Sequence, residues 1–66
     1  MITRADERKR LLDQLEHYNR ALARNDAVPD ATVEEVGDME IRDLRVVVEA
    51  TGHRLAGLIA LLAART

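Results

Sequence analysis

Two acid–histidine pairs are the residues here whose types and spacing could do chemistry: Asp13 with His17, and Glu49 with His53. On a helix this spacing puts a carboxylate and an imidazole on one face. Helical bundles do hold metal with carboxylates and histidines. There, however, the spacing is Glu-x-x-His, one residue shorter, with both groups aimed into the core. The heptad reading below turns Asp13 and His17 outward, so a solvated face is expected for that pair. His53 falls on an apolar seam. The simplest role for an imidazole there is a satisfied polar residue that fixes register; a pH-sensitive contact is the sharper alternative. The chain has no Cys, which removes thiolate zinc sites and disulfides. No phosphate loop or nucleophile–base set is present. Neither a metal nor a cofactor is expected.

A third cluster, Arg4, Arg8, Lys9 and Arg10, could touch phosphate, but Asp6, Glu7 and Asp13 interrupt it and no aromatic residue interleaves. With a net charge of −2, bulk electrostatics do not recruit nucleic acid. A helix-turn-helix would use Gly52 as its turn glycine. Its recognition helix, about Leu55 to Ala64, then has no donor or acceptor side chain to read a base edge.

The elements that position these groups are helices. Ile41, Leu44, Val48, Thr51, Leu55, Leu58 and Leu62 recur at spacings of three and four, a heptad pattern with one polar member, Thr51. Val46, Ala50, His53, Gly57, Ala60 and Ala64 follow the same spacing about half a turn away, at roughly 100° per residue. One face is thus large and aliphatic, the opposite face small. Small residues let backbones approach closely, and a helix apolar all round is buried on more than one side. The small seam is therefore the candidate interface. Thr51 is expected to bond back to its own helix.

Upstream, Thr3 with Asp6 forms a capping box. A helix of about residues 4–25 follows, with the apolar stripe Leu11, Leu15, Tyr18 and Leu22, flanked by Leu12 and Asn19. Asn25 and Asp26 end it. Val28 before Pro29 is pushed out of the α region, and the linker spans about Asn25 to Ala31. Thr32 with Glu35 makes a second capping box, with a short turn over Val33 to Val36. Gly37 is either a kink or a break with Asp38 as the next N-cap. A longer helix runs over about 38–65. Pairing like stripes predicts an antiparallel hairpin. That puts Arg20 and Arg24 near the acidic start of the second helix, and Arg4, Arg8, Lys9 and Arg10 near the C-terminus.

Leu44–Arg45 and the ending LIALLAAR resemble the first helix of AroQ-type chorismate mutases, over about a third of the chain. The spacing between pair and ending departs from that pattern, and no residue role is carried over.

Residues 1–66 thus read as a single all-α domain. It is near the lower size limit for a self-sufficient core, and without Cys the remaining staple is oligomerisation. The apolar run from Leu55 to Ala64 is too short to span a bilayer, so a cytoplasmic protein without a membrane partner is expected. The expected assembly is a homodimeric four-helix bundle joined through the small seam, or a contact there with another protein. The expected function is a non-catalytic interaction module: a regulator, adaptor or assembly factor. The alternatives are a nucleic-acid-associated regulator using the basic end of the first helix, and a small all-α enzyme with a site between protomers.

Overall fold

The computed structural model describes residues 2–65, which form three helices: α1 (Arg4–Arg24), α2 (Val33–Val36) and α3 (Ile41–Ala64). No strand occurs among the described residues. Both expected capping boxes are present. The Asp6 amide donates to Thr3 Oγ1 (3.1 Å) and the Thr3 amide to Asp6 Oδ2 (3.3 Å). Glu35 and Thr32 do the same at the head of α2, at 3.3 and 3.2 Å. Asp26 ends α1 in the left-handed region, φ 59°. Its amide donates to the Ala23 carbonyl (3.1 Å) and that of Ala27 to the Leu22 carbonyl (2.9 Å). This is a Schellman cap with Asp where Gly costs least.

Gly37 breaks the chain between α2 and α3 rather than kinking one helix. The N-cap of α3 is Glu40, not Asp38, so α3 starts at Ile41, the first residue of the large seam, rather than at about 38. The Met39 amide donates to the Val36 carbonyl (3.0 Å), which closes the turn.

Two long helices packed on each other are present as expected, but their relative direction is not antiparallel. Near its start, α1 meets the start of α3: Glu7 pairs with Arg45, and Arg8 Nη1 donates to the carbonyls of Gly37 (2.8 Å) and Met39 (2.5 Å). Farther along, Tyr18 lies against Gly52. Contacts that advance together on both helices define a parallel pair. The physical reason is the connection. An αα-hairpin needs only a short loop, whereas residues 25–40 can reach about 50 Å extended. They run back along α1 instead. Asn19 Nδ2 holds the Ala31 carbonyl (2.8 Å). Val36 enters the core. Arg8 pins the final corner about three turns before Asn19 on the same helix.

The core is Leu11, Leu15, Val36, Leu44 and Val48, with Leu22, Thr51 and Leu55 also buried. Apart from Val36 of α2, these belong to the predicted stripe of α1 and the large seam of α3. Thr51 Oγ1 donates to the Val47 carbonyl (2.8 Å), which satisfies the polar member of the seam as anticipated. The three successive valines from Val46 to Val48 stay helical; seam burial outweighs their β-branching. From the Tyr18–Gly52 contact, α1 ends level with about Leu58. The last two turns of α3 run on beyond it.

Candidate interaction face

The six small-seam residues Val46, Ala50, His53, Gly57, Ala60 and Ala64 are all exposed. α1 and the connection cover the opposite face of α3 and leave this one open. A Cβ built on Gly57 would meet nothing within 4 Å. Bulk stands on and beside the face: Val46 is 64% exposed and Leu61 57%. An exposed apolar surface is what a contact with another protein or with lipid would need. By length and composition Ile41–Ala64 could also cross a membrane, a longer apolar segment than the Leu55–Ala64 run alone. A mostly buried core helix passes the same test, but only 17% of this window is buried; Glu49, His53 and Arg54 near its middle are costly in hydrocarbon.

Beside the open face lies a groove of about 450 Å³ between α1 and α3, with Gln14, Tyr18, Arg45, Glu49 and His53 on its walls. Gln14 Nε2 donates to the Tyr18 hydroxyl (2.8 Å). Gly52 makes room for that ring, since a Cβ there would stand 3.0 Å from Tyr18 Cε2. The helix thus brings Glu49 and His53 to one rim, as their spacing requires, both exposed. Among the described residues no group of three or more His, Cys, Asp or Glu could hold a metal. The rim offers hydrogen-bond partners to an incoming surface. Asp13 and His17 are exposed on α1, the outward placement expected of them.

The basic cluster is not where an antiparallel hairpin would leave it. Arg4 and Arg8 line a groove with Glu7, Glu40, Arg42 and Arg45 at the start of α3, away from the C-terminus. Three of these guanidiniums are already engaged. Arg8 holds backbone carbonyls, Arg45 holds Glu7, and Arg42 Nε lies 3.3 Å from Glu40. Arg20 pairs within its own helix with Glu16 at 2.6 Å, not with the start of α3.

The residues that sequence reasoning missed are those holding the connection: Arg8, Asn19 and Arg54. Arg54 Nη1 donates to the Val28 carbonyl (2.6 Å) and lies 3.4 Å from Asp30. The available signal was the apolar trio Val33, Val36 and Met39 just after the linker, which reads as a segment that docks. Compared with known protein families, curated proteins and solved structures, the chain matches none.

Proposed function

We propose that this chain is a small non-catalytic protein–protein interaction module, acting as a regulator, adaptor or assembly factor through the open face of α3. Its working form is a homo-oligomer, a dimer first, in which two helix pairs make a four-helix bundle; a partner protein is the other occupant of the same face. A cytoplasmic location belongs to this reading. One observation carries it: α3 is buried on one side and presents Val46 and Leu61 more than half exposed off that side. A chain of this size buries too little apolar surface alone to leave such residues idle.

Sedimentation of the full chain at micromolar concentration should give a dimer or larger species. A well-folded monomer would sink self-association. Gly57→Leu, which puts bulk on a face with no neighbour in its own protomer, should weaken association while helicity holds. If both are unchanged, this face is not a close contact.

The second reading, a nucleic-acid-associated regulator, gains from one observation: the basic start of α1 lies beside Arg42 and Arg45. Arg4, Lys9 and Arg10 would be its phosphate contacts. A gel shift that weakens steeply with salt would support it, and no shift at low salt would end it. An enzyme with a site between protomers would need a polar cavity formed on assembly.

A further inference from the structure

We draw no further inference here: the strongest candidate, the groove of about 450 Å³ between α1 and α3 that Tyr18, Arg45, Glu49 and His53 line, sets a guanidinium already held by Glu7 beside an exposed carboxylate and an exposed imidazole, and nothing in the structure shows what fills it.

Discussion

Leu44 and Leu61 sit on the same helix, yet Leu44 has no exposed surface and Leu61 exposes 57%. Around Leu44 three segments converge: α1 brings Leu11 and Leu15, α2 brings Val36, and the corner held by Arg8 closes the end. Leu61 points about 100° round the helix from Leu44, off the seam that faces α1, so no other segment of the described chain stands opposite it. The lesson is that heptad spacing states which way a side chain points along its helix. Whether anything stands opposite depends on which side the neighbouring segments pack.

The contrast is sharpest under truncation. Leu44→Ala should cost about 2–5 kcal/mol, the range for emptying a packed aliphatic site, which can abolish folding in a chain this small. Leu61→Ala, measured below the association range, should stay within about 0.5 kcal/mol in urea denaturation. An equal cost at both positions in the dilute monomer would break the comparison and place an unrecognised neighbour over the tip.

Next in size is the corner. Arg8→Ala leaves the Gly37 and Met39 carbonyls without their guanidinium and should cost about 2 kcal/mol, typical of hydrogen bonds to a charged group. Hydrogen exchange should report loss of protection first around residues 37–44. Uniform loss along α3 would mean that its two ends are one cooperative unit.

The two glycines of α3 repeat the contrast on a smaller scale. Gly57→Ala meets open space and should stabilise the dilute monomer by about 0.5–1 kcal/mol through helix propensity. Gly52→Ala gains the same propensity but drives a Cβ to 3.0 Å from the Tyr18 ring. Its thermal unfolding midpoint should rise less or fall. The smallest effect concerns α1's end: Asp26→Gly relieves a left-handed residue and should add up to about 1 kcal/mol, seen as a shifted denaturation midpoint at unchanged slope.

Much of the fold was readable residue by residue. Both capping boxes, the end of α1, the stripe of α1, the two seams of α3 and the back-bonded Thr51 follow from local rules and periodicity. The direction of α3 was not readable. Matching stripes pair equally well parallel or antiparallel, and the deciding contacts, Arg8 to the Gly37 corner and Asn19 to Ala31, are single hydrogen bonds between segments distant in sequence. Reading Asn25 to Ala31 as the whole linker made a hairpin inevitable; a docked α2 made the return possible. For the candidate face, sequence named its six members, and the structure adds that α1 leaves all of them open.

What the sequence determined alone is therefore one-dimensional. It set helix type, the caps of α1 and the N-cap of α2, and the angular position of every apolar residue, because each depends on neighbours within about one turn. Only the tertiary structure decided polarity, the point where α1 runs out, and which polar side chains are consumed in holding the connection. Those depend on loop reach and on contacts between distant residues, for which helical periodicity carries no mark.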